Sequence, residues 1–123
     1  MRNRFKYYNH NPDNNTIEDC VCRAISTAIG LCYDAVDNLL TLTAKAYDCD
    51  KLCVCCYSNL LEDVLCYERH SCRFQKTVAE VAAEHSKNKV IIRVDQHLTV
   101  AVYGNVLDIW DCSDEPVDCY WIV

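Results

Sequence analysis

One cysteine has the surroundings that thiol chemistry needs. Cys20 lies in the stretch NNTIEDCVCRAISTAIG, directly before an apolar pattern of helical spacing. The unpaired N–H groups and the dipole at the start of a helix favour negative charge, and the thiolate is the nucleophilic form of cysteine. The adjacent Asp19 acts in the opposite direction, because nearby negative charge raises the pKa of a thiol. A nucleophilic Cys20 therefore needs an imidazolium partner.

Among the four histidines, His97 is the best candidate for that partner. It opens the apolar stretch HLTVAVY, where a strand has no structural need for a polar residue. His70 and His85 lie near the C-terminal ends of predicted helices, where a cation is favourable for structural reasons. A lone histidine at a strand end is as often structural as catalytic, so the hypothesis depends on its pairing with Cys20.

The hairpin that follows His97 offers carboxylates to orient the imidazole. A Gly-Asn dipeptide predicts a turn between HLTVAVY and VLDIWD. A three-residue loop with a bulge places Asp111 opposite His97, whereas a strict two-residue turn is expected to place Cys112 there. On the bulged register Asp108 lies three residues nearer the turn, about 10 Å away along the strand. Asp111 is therefore predicted as the third catalytic residue, with Asp108 as the alternative.

The elements that must position these residues change type along the chain. Helices are predicted over 20–29, 33–47, a short stretch within 59–69, and after a capping box formed by Thr77 and Glu80. From residue 89 onward the pattern becomes that of strands, in KVIIRV, HLTVAVY, VLDIWD and CYWIV. This order predicts a single α+β domain over 1–123, with N-terminal helices packed on a C-terminal antiparallel sheet.

Composition limits the class of protein. The 123 residues are 51% hydrophobic, which is enough to build one core. The formal charge is −6 and the basic residues are scattered, which disfavours nucleic-acid binding. The sequence shows neither a charged-then-apolar leader nor an apolar run long enough to span a membrane. We therefore expect a cytoplasmic protein without nucleic-acid or membrane partners, and its oligomeric state stays open.

The eleven cysteines allow two interpretations. The lack of a leader, the odd count and the adequate core favour reduced thiols over a disulfide scaffold. Cys53 and Cys56 have C-x-x-C spacing, and Cys66 lies one helical turn before His70, so a zinc site in this region is an alternative. The spacing fits no standard zinc pattern well, and small buried thiols with no bound metal are predicted instead. The same region also holds further cysteines at 49, 55 and 72.

The order of a cysteine at a helix start, a histidine at a strand start and an aspartate on the next strand resembles the papain-like cysteine peptidases. In more detail, the segments NPDNNTIEDCVCRA, HLTV and WD resemble small peptidase-like proteins encoded by bacteriophages, which carry N-P, D-C-x-x-R-A and later H-L-x-A/V with W-D. The resemblance covers residues 7–40 and 90–121. It implies a nucleophilic Cys20, a general-base His97, an orienting Asp111, no cofactor and a peptide or protein substrate. A phage protein of this kind would act in the host cytoplasm.

The papain-like fold also implies a side-chain amide ahead of the cysteine that helps to hold an oxyanion. Asn14 is the candidate, with Asn15 beside it, and the backbone N–H of Cys20 would be the second donor. Both asparagines suit a turn equally well. Arg23, one helical turn after Cys20, is expected to pair with Glu18, Asp19 or a carboxylate of the sheet.

Two other functions stay open from the sequence. One is a catalytically inactive copy of the peptidase fold that serves as a binding module, for example a phage protein that blocks a host factor. The other is a small zinc-stabilised interaction domain centred on residues 49–72.

Overall fold

A computed structural model describes residues 4–12 and 19–123. In chain order its elements are β1 (Phe5–Tyr7), α1 (Cys20–Ile29), α2 (Tyr33–Tyr47), α3 (Val54–Asn59), a π-helical turn (Leu60–Val64), β2 (Arg69–Ser71), α4 (Val78–Glu84), β3 (Lys89–Val94), β4 (His97–Val102), β5 (Asn105–Asp108) and β6 (Val117–Ile122). Within these ranges the chain therefore has the predicted α+β class.

The first, second and fourth helices form where the sequence predicts them. Helix α1 ends at Gly30, which has a φ of 74°, a left-handed conformation that glycine adopts without strain. Helix α4 begins with the predicted capping box, in which Thr77 and Glu80 each accept a hydrogen bond from the other's backbone N–H. None of the helices in the described ranges combines the length and the apolar character needed to cross a bilayer.

The strands form one six-stranded mixed sheet in the order β1-β5-β4-β3-β6-β2. The four strands near the C-terminus pair antiparallel, as predicted. At the two edges the prediction was incomplete, since β1 pairs parallel with β5 and β2 comes from the middle of the chain. Each edge strand has three residues, which is too short to give a recognisable alternating pattern.

Helices cover both faces of the sheet. Ile91 and Trp121 are fully buried on the face covered by α1, α2 and α3, and Val90 and Ile92 are fully buried on the face covered by α4. This alternation along β3 shows a strand that is buried on both sides. Helix α1 packs mainly on β4, which brings the first residue of the helix near the first residue of that strand.

All eleven cysteines lie within the described residues, and each is a free thiol. The third helix lies at Val54–Asn59, before the predicted stretch 59–69, and the sulfur of Cys53 caps it by accepting from the N–H of Cys56 at 3.3 Å. The predicted stretch itself forms only the π-helical turn Leu60–Val64, and His70 lies on β2 and not near the end of a helix as predicted. Cys66 is exposed, and the His70 ring stacks on Tyr120 with centroids 5.1 Å apart. The Cys49 thiol has hydrogen bonds with Cys53 and Cys56, but within the described part of the chain no three of the zinc ligands considered for this region lie close enough together to hold one ion.

Candidate active site

Cys20 is the first residue of α1 and opens into a small cleft. The cleft has a volume of about 140 Å³. Besides Cys20 and His97 it is lined by Val21, Leu52, Val54, Tyr57, Arg93, Gln96 and Leu98. Ligand pockets for drug-sized molecules typically span about 300–1,000 Å³, so this volume suits one side chain of a larger substrate.

The structure brings Cys20 and His97 together. Burial raises the pKa of the Cys20 thiol, but hydrogen bonds with the His97 side chain and the Leu98 backbone, together with the charge of His97, outweigh it. The pKa of Cys20 therefore lies below its ordinary value. A thiol at the start of a helix, next to a protonated imidazole, is the arrangement that favours the thiolate.

His97 has a buried carboxylate as its second partner. Its Nε2 lies 2.7 Å from Oδ2 of Asp108, and only 11% and 4% of the two side chains are exposed. Burial lowers the pKa of His97, but hydrogen bonds with Asp108, Cys112 and Cys20 and the charge of Asp108 raise it to about 11. Burial likewise raises the pKa of Asp108, but the hydrogen bond and charge of His97 hold it below its ordinary value. Since Nε2 faces Asp108, Nδ1 is the ring nitrogen available to Cys20.

The β4–β5 hairpin has a two-residue turn instead of the predicted three-residue loop with a bulge. Val102 pairs with Asn105, so Tyr103 and Gly104 alone form the turn. Their φ angles are 50° and 86°, and two positive φ angles are typical of the type I′ turn that suits the twist of a hairpin. The predicted register was therefore wrong by one residue, and a shift of one residue changes which side chains share a face of a strand.

This register brings Asp108 to His97. The last pair of the ladder is Val100 with Leu107, and Asp108 is the next residue and the end of β5. If this register is extended past the end of β5, Trp110 falls opposite His97 and Asp108 lies diagonal to it, within reach of a side chain. In agreement, the rings of His97 and Trp110 have centroids 5.0 Å apart.

The predictions for Asp111 and Cys112 are corrected by the same register. Asp111 does not take the position opposite His97, and its Oδ1 accepts a hydrogen bond from the N–H of Ser113 at 3.1 Å. Cys112 does not take that position either. It is fully buried beside the acid, with its sulfur 3.7 Å from Oδ2 of Asp108. Asp108, the alternative from the sequence, is therefore the carboxylate that contacts the imidazole.

A second buried ion pair adjoins the site. Nη1 of Arg23 pairs with Oδ1 of Asp19, and Nη2 of Arg23 lies 3.8 Å from Oδ1 of Asp108. Oδ2 of Asp19 accepts from Nδ2 of Asn11 at 2.9 Å and from the hydroxyl of Tyr33 at 2.7 Å. The sequence predicted a carboxylate partner for Arg23 but not that it would reach both Asp19 and the sheet. The four-residue spacing of Asp19 and Arg23 was the signal for the ion pair between these two residues.

One group in the described ranges has the chemistry of a metal site. His97, Asp108 and Cys112 each offer a ligand atom, and the three atoms lie within 4.8 Å of one another. Imidazole, carboxylate and thiolate are all zinc ligands. However, Oδ2 of Asp108 already accepts from both His97 and Cys112, so these contacts explain the cluster without an ion.

One prediction falls outside the described residues, and one part of the site was not predicted. Asn14 and Asn15, the candidates for an oxyanion amide, lie outside the described residues. The cleft walls contributed by Leu52, Val54 and Tyr57 had no signal in the sequence, because their role depends on contacts between distant parts of the chain.

A comparison of the chain with protein-family models, with curated proteins and with solved structures finds no match in any of the three. The function is therefore inferred from the chemistry and geometry of the site itself.

Proposed function

We propose that the protein is a thiol hydrolase, most specifically a cysteine peptidase with a papain-like fold. Cys20 acts as the nucleophile, His97 as general base and acid, and Asp108 as the residue that orients the imidazole. The observation that carries the proposal is the buried hydrogen bond of 2.7 Å between His97 and Asp108 beside Cys20, whose thiol lies at a helix start, lines the same cleft as His97 and has its pKa lowered by that histidine.

The chemistry follows from the protonation states. The Cys20 thiolate attacks the carbonyl carbon of a peptide or isopeptide bond, and the backbone N–H of Cys20 stabilises the oxyanion. The His97 imidazolium donates its Nδ1 proton to the leaving amine, which leaves a thioester on Cys20. His97 then takes a proton from water, the hydroxide releases the acid product, and the thiolate is restored. Asp108 keeps Nε2 protonated and stabilises the imidazolium throughout.

The arrangement of the elements supports a papain-like fold. The helix that begins with the thiol packs on the strand that begins with the histidine, and the carboxylate comes from the next strand. The two alternatives are less well supported. An inactive binding module has no need for a buried imidazolium beside an open thiol. In the described structure, no three candidate ligands of residues 49–72 lie close enough together to hold one zinc ion.

Selective alkylation tests the proposal. Native protein is treated with a limiting amount of iodoacetamide near pH 7, and each cysteine is quantified by peptide mapping. Cys20 is expected to react faster than the more exposed Cys32, Cys55 and Cys66, because its lowered pKa increases the fraction of thiolate near neutral pH. Preferential labelling of the exposed thiols with Cys20 intact would refute the proposal.

Hydrolysis itself is tested with a mixture of proteome-derived peptides. The wild-type protein is expected to create new peptide termini, and Cys20→Ser is the matched control, because it keeps the size of the side chain and removes the thiolate. Identical peptide patterns from both proteins would show that Cys20 does not hydrolyse peptides, even if its thiol is reactive.

A further inference from the structure

Arg23 makes contacts that the packing of α1 alone does not explain. It lies one turn after Cys20 on the same helix, is 7% exposed, and contacts carboxylates from two different parts of the fold. Buried charges are costly unless they are paired. The positive charge of the Arg23 guanidinium is therefore balanced by the carboxylates of Asp19 and Asp108.

The two oxygens of Asp108 have separate partners. Oδ1 accepts from the N–H of Ile109 at 2.7 Å and lies 3.8 Å from Arg23, whereas Oδ2 lies 2.7 Å from His97. Contacts on Oδ1 fix the rotation of the carboxylate about its own axis, and this rotation decides where Oδ2 points. Arg23 thus acts on the side of Asp108 that His97 does not use.

Asp19 directly precedes the nucleophile. An uncompensated carboxylate at this position would oppose thiolate formation, as nearby like charge does in general. Arg23 carries the compensating charge, and its guanidinium has the fork geometry that serves two carboxylates at once. Charges therefore alternate in sign from Asp19 through Arg23, Asp108 and His97 to the Cys20 thiolate.

We propose that Arg23 is a positioning residue of this site, which neutralises Asp19 beside the nucleophile and holds Asp108 in the orientation that His97 needs. The inference rests on the proposed function, because it assigns a role within the same site. We therefore expect Arg23 to influence the pH at which Cys20 becomes a thiolate, through Asp19 and through Asp108 and His97.

The charged and titratable groups around Arg23 come from four elements or their flanks. They are Asp19 before α1, Asp108 on β5, Tyr33 on α2 and Tyr7 on β1. Burial raises the pKa of Tyr33, so its hydroxyl remains a neutral donor to Asp19 near neutral pH. Asp19 and Asp108 are therefore the groups whose charge Arg23 balances in the range where Cys20 titrates.

The test is a double-mutant cycle read as a pH profile. Iodoacetamide labelling of Cys20 is measured by peptide mapping from pH 5 to 10 in wild type, Arg23→Met, Asp19→Asn and the double variant. The labelling midpoint is expected to rise by about one pH unit in Arg23→Met and to fall in Asp19→Asn. In the double variant it should lie between wild type and Arg23→Met, because the charge of Asp19 is gone but the contact of Arg23 with Asp108 is still lost.

Matched variants separate this role from stability. Arg23→Lys keeps the charge but not the fork, so its midpoint should lie between those of wild type and Arg23→Met. Lys76→Met removes an exposed ion pair with Glu84 on a distant helix and should leave the midpoint unchanged. If Arg23→Met fails to fold, Asp19→Asn and the double variant decide, since neither buries an unpaired carboxylate at position 19.

Variants that melt at lower temperature while every midpoint stays at the wild-type value would overturn the inference. That result differs from failure of the proposed function, in which Cys20 of the wild-type protein is already no more reactive than an exposed thiol.

Discussion

Oδ2 of Asp108 lies 2.7 Å from Nε2 of His97, so the last residue of β5 is hydrogen-bonded to the first residue of β4. The contact depends on the two-residue turn of the hairpin. A turn one residue longer would shift β5 by one residue relative to β4 and change which side chain faces His97. Both groups are largely buried, so the hydrogen bond is protected from competing water. The orientation of the imidazole is therefore determined by the length of a turn distant from the thiol.

Replacement of Asp108 by asparagine is expected to slow both Cys20 alkylation at neutral pH and peptide hydrolysis. In serine proteases, the corresponding change lowers turnover about 10⁴-fold, because the imidazole adopts the wrong tautomer. A thiolate is a stronger nucleophile than a hydroxyl, so we expect a smaller loss of about 10²-fold in hydrolysis. Alkylation rates from peptide mapping and initial rates of hydrolysis measure the effect.

Asp111→Asn is the matched control for that change. Asp111 is three residues further along the chain and accepts from the backbone of Ser113, so its replacement should act mainly on local stability. A larger loss of Cys20 reactivity in Asp111→Asn than in Asp108→Asn would contradict the observed register.

Much of the scaffold could be predicted from the sequence, because its signals are local. Helix α2 spans Tyr33–Tyr47 as predicted, and the capping box of Thr77 and Glu80 marks the start of α4. His97 could be identified as a candidate because an apolar strand has no structural need for a polar residue at its start. These inferences depend on residues within one or two turns of each other.

The remainder depends on contacts that no local pattern encodes. Tyr103 takes a φ of 50° in the hairpin turn, a conformation more typical of Asn or Gly, so a three-residue loop was predicted where the turn has two residues. That single error moved the choice of carboxylate from Asp108 to Asp111. The pairing of Arg23 with Asp108 joins a helix to a strand and has no signal in sequence spacing.

The Cys20–His97 pair predicts a specific pH dependence of alkylation. The pKa of Cys20 is lowered and that of His97 is raised to about 11, so the thiolate forms at a lower pH than in an ordinary thiol while His97 is still protonated. His97→Ala removes the stabilising partner and leaves burial, which raises the thiol's pKa. We therefore expect its labelling midpoint to move above the ordinary thiol value, with exposed Cys55 as the internal reference in each digest. An unchanged midpoint would show that His97 does not activate the thiol.

The stability of the protein in acid is expected to depend on Asp108. Its pKa is lowered in the folded state, so the stability that it contributes is fully present above the unfolded value of about 3.9 and is lost as pH falls through the folded value. The difference in unfolding free energy between wild type and Asp108→Asn should therefore be constant from pH 5 to 7 and shrink below about pH 4. Urea unfolding at several pH values measures it, and a difference that grows in acid would contradict the assignment.

A substitution that narrows the cleft should slow alkylation of Cys20 by bulky reagents more than by small ones. Val54 lines the cleft beside Cys20 and is 41% exposed, so Val54→Trp should fill much of the 140 Å³ volume without disturbing the core. We expect alkylation by a peptidyl chloromethyl ketone to slow about tenfold or more, whereas iodoacetamide, which needs little space, should react nearly as before. Val64→Trp is the matched control, because Val64 is similarly exposed but lies outside the cleft. Equal slowing by both tryptophan variants would mean that substrates reach Cys20 by another route.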